Sequence, residues 1–599
     1  MENGDTDLAV LRKGVTCFLQ SVQNRQLFFH PRAILGQKWE GTDQLARNRN
    51  PERVGSLGKR LTVNLPKKSI SSRASAAIVA LGHKDRRMER NLRNLRANCG
   101  KWLAEQNPDA ALGAIEELVR DVWRNPLGAC RVFSSPELDD LLMEIGGSIS
   151  SKGARADISE IAKADQIFVA TSVSTAGGHT GVIEDLIRLG GGRDQWVLLT
   201  DPEFLRDAEL REQLERRFAD LGARLLCVPG DRPSEKVAWL QCVLKEFSSA
   251  KVWLFNHWWD AVSVAAFVPV TGARQYFCHH ADHHLSLGLH LGHMRHVDLS
   301  PFSYHHCQKC LGIDGNVYLP LTLSNPPQPG VVGHRKNERI TATSGSWFKF
   351  SAPYAWHLPE ILPGVLRASG GSHMHIGSVP PEGLEAIHGT LRSAGIAMER
   401  FIHVQHVDSL GGFFAEQGVD LYFQSFPYPG IKSGIEAMAA GIPIAVHLNY
   451  QSTLQASVDM VYPEAFRWRL PENLYQIVQN LDDESLQVHR VQSREWFEKS
   501  HGTEVVAKLL DSDFSLSSTI EPPVTPEMEI DRLQLFLDRE SQFQDLEVLI
   551  ERHLGKIEAL KAKAETLRSE RDRYRDLLRA AKADSAPSGR KGLAKWFGR

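Results

Sequence analysis

The sequence predicts an α/β protein with two Rossmann-like, doubly wound domains facing a cleft. Two observations carry that prediction. From about residue 160, short β-rich runs alternate with amphipathic helical segments, and after a Pro/Gly-rich break near residue 324 the same alternation begins again. Apolar strands separated by helices imply a parallel sheet covered on both faces. The flanks lack this alternation: residues 1–155 show helical periodicity, and residues 527–583 show three- and four-residue apolar steps.

Taken in order, residues 1–155 read as an all-helical accessory domain. Met88, Leu92, Leu95, Cys99 and Trp102 share one helical face, and Arg86, Arg87, Arg90, Arg93 and Arg96 make the opposite face basic. Such a face can meet an anionic membrane or an acidic partner, but a solvated helix surface is the commoner outcome. Residues 160–330 form the first Rossmann-like domain, with strands expected at 166–173, 195–200, 223–228, 251–255 and 275–278. The run Ser324-Asn-Pro-Pro-Gln-Pro-Gly330 reads as a linker. Residues 335–512 form the second domain, with strands at 340–344, 373–377, 401–405, 419–424 and 443–447. In 527–583, Phe536, Phe543, Leu546, Ile550, Ile557, Leu560, Ala564, Leu567, Tyr574 and Leu578 define a coiled-coil seam interrupted by Arg539, His553 and Arg571. That seam implies a homo-oligomer or a partner helix. The basic tail 584–599 leaves a peripheral membrane contact open.

Composition excludes several classes. The 70 Lys and Arg residues balance 72 Asp and Glu, a net charge of −2, so no nucleic acid partner is expected. Eight cysteines scattered over 599 residues make no disulfide framework and fit a reducing compartment. The acidic start lacks signal-peptide zones and no apolar run could span a bilayer, so a cytoplasmic protein is expected, with contact at the inner membrane face left open.

The sharpest motif is Pro427-Tyr-Pro-Gly-Ile-Lys-Ser-Gly-Ile-Glu436: a strand end, a turn and a helix start. Free N–H groups at a helix start bind anions. Gly430, Lys432, Ser433 and Gly434 are therefore candidate phosphate contacts, and Glu436, one turn in, can accept both hydrogen bonds of a ribose diol. A plain capped helix is the competing reading. In the first domain, Thr171-Ser-Val-Ser-Thr-Ala-Gly-Gly-His-Thr180 follows a strand and aims His179 at the cleft. The run Cys278-His-His-Ala-Asp-His-His-Leu-Ser-Leu-Gly288 offers His280 and His283 as rival general bases, with Asp282 to orient an imidazole. His305-His306-Cys307-Gln-Lys-Cys310 raises a structural zinc, but the one Cys-x-x-Cys reads better as two half-buried thiols, and no metal is assigned.

The stretch 426–443 resembles the nucleotide-binding signature of GT-B glycosyltransferases. More narrowly, the motif order is similar to the O-GlcNAc transferase family and its bacterial relatives that N-glycosylate adhesins. Arg400-Phe-Ile-His-Val-Gln405 and Gly418-Val-Asp-Leu-Tyr-Phe-Gln424 match that family's strands, and the likeness covers roughly residues 165–510. The resemblance implies a GT-B fold whose first domain is the acceptor side. It implies a nucleotide-sugar donor, UDP-linked, held in the second domain. It places a pyrophosphate-binding lysine at Lys349 in Ser344-Gly-Ser-Trp-Phe-Lys-Phe350, and it supports active-site roles for His179 and Glu436. Retaining relatives often carry a Glu-x7-Glu pair; Tyr428 stands where the first Glu would be, which favours inversion. The implied activity is hexosyl or N-acetylhexosaminyl transfer to a protein or glycan, as in protein glycosylation or polysaccharide biosynthesis, with no cofactor. A nucleotide-sugar epimerase and a non-catalytic coiled-coil scaffold are the alternatives.

Overall fold

A computed structural model describes residues 91–125, 128, 131–149, 161, 164–175, 177–191, 194–201, 207–246, 250–269, 274–329, 338–352, 354–450, 452–516, 522–523 and 531–584. Arg86, Arg87 and Arg90 of the expected basic helix face, and the basic tail, lie outside these residues. The chain divides into two compact units, 1–532 and 533–599.

The first unit holds two sheets, and their strand pairs among the described residues are parallel. One contains β1 (Gln166–Ala170), β2 (Gln195–Leu199), β3 (Ala223–Cys227), β4 (Lys251–Phe255), β5 (Arg274–His279), β6 (Arg295–Asp298) and β7 (Val317–Tyr318), in the order β3-β2-β1-β4-β5-β6-β7. The other contains β8 (Thr341–Ser344), β9 (His373–Ile376), β10 (Phe401–Val404), β11 (Leu421–Phe423), β12 (Ile444–His447) and β13 (Phe466–Trp468), in the order β10-β9-β8-β11-β12-β13. These are the two doubly wound domains expected. In each, the order reverses beside the first strand, at β1/β4 and at β8/β11. The crevice beyond the carboxyl ends of those strands is where open α/β sheets bind ligands.

The central strands are buried end to end, as Gln166–Ala170 illustrates, because helices cover both faces. The second sheet buries polar residues too. Thr341 Oγ1 meets His373 Nδ1 at 2.8 Å, and Thr343 Oγ1 meets His375 Nδ1 at 2.9 Å, so Thr-Ala-Thr and His-Met-His satisfy each other across the strands. At the ends of β8 and β9 the backbones nearly touch: a Cβ on Gly377 (φ +146°) would lie 2.2 Å from the Gly345 carbonyl oxygen.

β6, β7 and β13 escaped the sequence reading. Arg-His-Val-Asp of β6 sits inside a histidine-rich run that reads as loop, and β7 has two residues.

The helices Leu92–Ala104, Pro108–Arg124 and Pro136–Ser148 start at the side-chain caps Asn91, Asn107 and Ser135. These described helices pack against the first Rossmann-like domain. Asp139 accepts the backbone N–H of Gly288 at 2.7 Å and of His290 at 2.9 Å, and Gln241 donates to the Gly146 carbonyl at 2.8 Å.

At the other end of this unit the chain returns from the second domain to the first. His501 Nδ1 lies 2.8 Å from the Leu321 carbonyl, Lys251 donates to the Leu510 carbonyl at 3.2 Å, and Phe514 packs on Trp253. The segment 501–514 thus belongs structurally to the first sheet, although it follows the second domain in sequence.

The second unit is described as one helix, Leu533–Asp584, with Ile550, Ile557, Leu560, Leu567, Tyr574 and Leu578 all exposed. No helix among the described residues is long and apolar enough to cross a membrane.

Candidate active site

Three loops of the first domain converge at its switch point. His179 is the second residue of the helix Gly178–Leu189, which follows β1 and is entered through Gly177 at φ +154°. His280 comes directly after β5, and His257 two residues after β4. His179 Nδ1 lies 2.9 Å from His280 Nε2, and the His257 ring sits 5.1 Å from that of His179. His257 was missed in the sequence, where its only signal was its place just past an apolar strand. Its backbone N–H donates to Thr171 Oγ1 at 2.7 Å, and Thr171 in turn donates to buried Asp260 at 2.7 Å, which locks the β1 and β4 loops together.

Burial favours the neutral form of all three imidazoles. Burial, then the neighbouring His280 and His257, hold His179 well below the usual histidine range. Burial, then His257 and His279, push His280 down to about 3. The contact between the two rings needs one proton shared between the two nitrogens. With that proton on His179 Nδ1, a neutral His179 keeps its lone pair on Nε2. That Nε2 is buried and has no hydrogen-bond partner among the described residues.

Asp282 does orient an imidazole, but that of His283, whose Nδ1 lies 2.9 Å from its carboxylate. Its other oxygen accepts from Ser300 Oγ, the cap of the helix Pro301–Lys309. Asp282 and His283 thus form a pair of their own beside the His179–His280 contact.

In the second domain, Lys349 lies on a one-turn helix, Phe348–Ser351, just past β8, and Gly430 caps the helix Ile431–Ala439 that follows β11. Lys349 Nζ donates to the Pro429 carbonyl at 3.2 Å, and a Cβ on Gly430 would lie 3.5 Å from both Lys349 Nζ and Ser433 Oγ. An ammonium and a hydroxyl therefore bracket a helix start whose first N–H groups have no intrahelical acceptor, Gly434 N–H to Gly430 O being an early closure at 3.2 Å. Burial alone pushes Lys349 down to about 8, so the ammonium sits where it is poorly solvated, and no carboxylate among the described residues offsets that cost. Beneath, Ser433 shares a hydrogen bond with Tyr422, whose hydroxyl is 2.8 Å from Ser344 Oγ.

Gln424, at the end of β11, was not singled out in the sequence. It is 1% exposed, both of its amide atoms lack a partner, and its Nε2 lies 3.7 Å from where a Gly434 Cβ would be. The signal was a polar residue ending an otherwise apolar strand. Gly434 itself has ordinary room for a methyl group, so the protein's own packing does not demand a glycine there.

Two other candidates are engaged elsewhere. The Lys432 ammonium is held by Asp185 and the Thr322 carbonyl of the first domain, so it bridges the domains instead of facing the anion seat. Glu436 Oε2 accepts the Leu410 N–H at 3.0 Å and the carboxylate also takes the Gly411 N–H, capping the helix Leu410–Gln417. Burial pushes its pKa up despite these amides. The Lys432 bridge has a consequence for the cleft: a Cβ on Gly178 would lie 3.2 Å from Lys432 Cβ. The two helix starts, one carrying His179 and the other Ser433, therefore meet across the domain boundary.

No family profile matches the chain, and no curated protein matches it by sequence. Solved structures that align with this chain include Anabaena HepE in complex with UDP and glucose, at 12% identity and a TM-score of 0.42, covering 58% of this chain and 99% of that one. A mutant O-GlcNAc transferase of Thermobaculum terrenum aligns at 13% identity and a TM-score of 0.40, covering 72% of this chain and 85% of that one. A glycosyltransferase of Rickettsia africae aligns at 10% identity and a TM-score of 0.44, covering 59% and 99%. Likeness at this level does not bear on chemistry, which rests on the residues described above.

Proposed function

We propose that the chain is a glycosyltransferase that moves a sugar from a UDP-linked donor to a protein or glycan acceptor with inversion. The observation that carries this reading is the meeting of Lys349 Nζ with the amide-rich start of Ile431–Ala439, one helix contact away from His179. A cation with no anion of its own beside open backbone N–H groups is a seat for a diphosphate. Ser433 and Gln424 add neutral polar contacts within the same crevice.

In this reading His179 Nε2 takes the proton from the acceptor's nucleophilic oxygen or nitrogen as that acceptor atom forms its bond to the anomeric carbon. The bond from the anomeric carbon to the diphosphate oxygen breaks, and its electron pair goes to the diphosphate. Lys349 and the helix amides stabilise that developing charge, as preorganised donors do in other transfer reactions. His280 Nε2 accepts from His179 Nδ1–H and so steadies the imidazolium that forms. The exposed seam of Leu533–Asp584 supports self-association or a partner helix, outside this chemistry.

The test is incubation of the full chain with a panel of nucleotide-sugars and cell extract, read by mass spectrometry. A mass increment of one sugar on an acceptor supports the reading. Isomerised donor without any acceptor points to an epimerase, and a chain indifferent to every nucleotide to a scaffold.

Donor binding should also depend on pH with a definite sign. Lys349 carries its charge below about 8 and loses it as pH rises through that value. Bound diphosphate favours the charged form, so the Kd for UDP should rise about tenfold per pH unit above that point, until the pKa of the complex is reached. Calorimetry between pH 7 and 10 checks this; a flat profile speaks against Lys349 as the diphosphate contact.

A further inference from the structure

The first domain contains a second cluster of ligating side chains, outside the cleft. His279 ends β5, Asp298 ends β6 directly opposite it in register, His296 lies two residues earlier on β6, and Cys307 reaches in from the helix Pro301–Lys309. All four are buried, at 3%, 0%, 6% and 0% exposure, and one ligand atom from each lies within 4.8 Å of all the others. We propose that His279, His296, Asp298 and Cys307 bind a structural zinc ion.

The spacing of the four atoms carries the proposal. Cys307 Sγ lies 3.6 Å from His279 Nδ1, 3.5 Å from His296 Nε2 and 3.4 Å from Asp298 Oδ1. Asp298 Oδ1 lies 2.9 Å from His279 Nδ1 and 3.1 Å from His296 Nε2. A tetrahedral zinc with Zn–S near 2.3 Å and Zn–N or Zn–O near 2.0–2.1 Å sets S···N and S···O edges of about 3.5 Å and N···O edges of about 3.3 Å. The sulfur edges match, and the oxygen edges are a few tenths short, as expected where the donors have closed onto one carboxylate oxygen. As a hydrogen-bond network alone the arrangement is crowded, with three donors converging on Oδ1.

Chemistry and charge agree. Two imidazoles, a thiolate and a carboxylate are borderline ligands suited to zinc. With both imidazoles neutral, the thiolate and the carboxylate cancel the charge of a divalent ion, so the filled site is neutral where it is fully buried. Asn316 Nδ2 donates to Asp298 Oδ2 at 2.6 Å, which turns Oδ1 toward the cluster. His296 lacks such support, since its Nδ1 has no partner, which lowers the affinity by about 10- to 100-fold against a fully buttressed site. Four protein ligands leave no open position, so the ion is structural rather than catalytic. It fastens β5, β6 and the following helix at the point where the chain enters His280.

This departs from the sequence expectation on both cysteines. Cys307 is fully buried and Cys310 exposed, so they are not two half-buried thiols, and the Cys-x-x-Cys pair does not act as a unit. His305 is turned to the carbonyls of Pro522 and Pro523.

The full chain, purified without chelator, should carry zinc in stoichiometric amount by elemental mass spectrometry. A strong chelator should lower its Tm, and added zinc should restore it. Cobalt taken up in place of zinc should show the visible bands of a tetrahedral ion and a thiolate charge-transfer band. The charge-transfer band should be lost in Cys307→Ser and kept in Cys310→Ser. Protein that purifies without metal, takes up neither zinc nor cobalt and melts unchanged with chelator overturns the proposal. So does a charge-transfer band that survives Cys307→Ser or disappears in Cys310→Ser. Should Cys307→Ser not fold, the metal content and cobalt spectrum of the wild type and of Cys310→Ser decide.

Discussion

Lys349→Met is expected to abolish thermal stabilisation by UDP and to lower donor turnover by about 10²- to 10³-fold, the usual cost of deleting one preorganised charge-stabilising donor. The substitution keeps the length and apolar stem of the side chain and removes only the ammonium. In the free protein that ammonium is a burden: it is desolvated, it touches one carbonyl, and burial has already pushed its pKa down to about 8. The variant should therefore melt no lower than the wild type in the absence of nucleotide, and higher if the relief is large. A lysine kept for structure would give the opposite pattern, with Tm falling and UDP binding unchanged. Scanning calorimetry with and without UDP separates the two. At a hundred times its Kd, UDP should stabilise the wild type by about 2.7 kcal/mol and Lys349→Met by none of it.

His179→Ala is expected to lower kcat by about 10²- to 10⁴-fold, the range typical of a lost general base, while leaving the Kd for UDP unchanged. The split between kcat and affinity is the informative part, because His179 lies across the domain boundary from the diphosphate seat. His280→Ala should cost less. Its role is to receive the Nδ1–H of His179, so its loss relaxes the tautomer without removing the nucleophile-facing Nε2. The pH profile adds an independent check. A base works when deprotonated, above its pKa, and burial beside His280 and His257 holds His179 well below the ordinary range. The rate should therefore show no acid limb where free histidine titrates. An acid limb there, or a His179→Ala variant that raises KM alone, would contradict the assignment.

Much of the architecture was legible because both sheets are assembled from short apolar strands whose period and spacing survive in one dimension. β4 was read to the residue, since Lys251 and the turn after Phe255 bracket an apolar run. The helix after β11 was read to within two residues, because a Pro/Gly turn and Gly441 mark its ends. Elements with polar composition were not legible. β6 reads Arg-His-Val-Asp, and its burial depends on a carboxylate, two imidazoles and a thiol that only the fold brings together. For the same reason the sequence does not divide the histidine-rich run: His280 turns to His179, and His279 turns away from it into the cluster with Asp298 and Cys307. Alternation of side chains along an extended chain separates neighbours in this way, and no composition rule reveals which one faces which side.

Partner choice was the other blind spot. Lys432 belongs to the same motif as Ser433, yet it lies against Asp185, more than two hundred positions away in the chain. Glu436 is where a ribose contact was expected, but its carboxylate also has two amides of Leu410–Gln417 to cap. Long-range electrostatic pairing leaves no local trace, whereas a helix start does. That is why Gly430 and Ser433 could be nominated from their own motif and Lys432 could not be set aside, whereas Lys349 was nominated only through the family resemblance.

The most direct measurement is a crystal structure of the full chain with UDP at saturating concentration. The diphosphate should be found between Lys349 Nζ and the N–H groups of residues 431–433, with the lysine drawn off the Pro429 carbonyl and the terminal phosphate facing His179. UDP bound elsewhere, with Lys349 still on that carbonyl, would contradict the account at its centre.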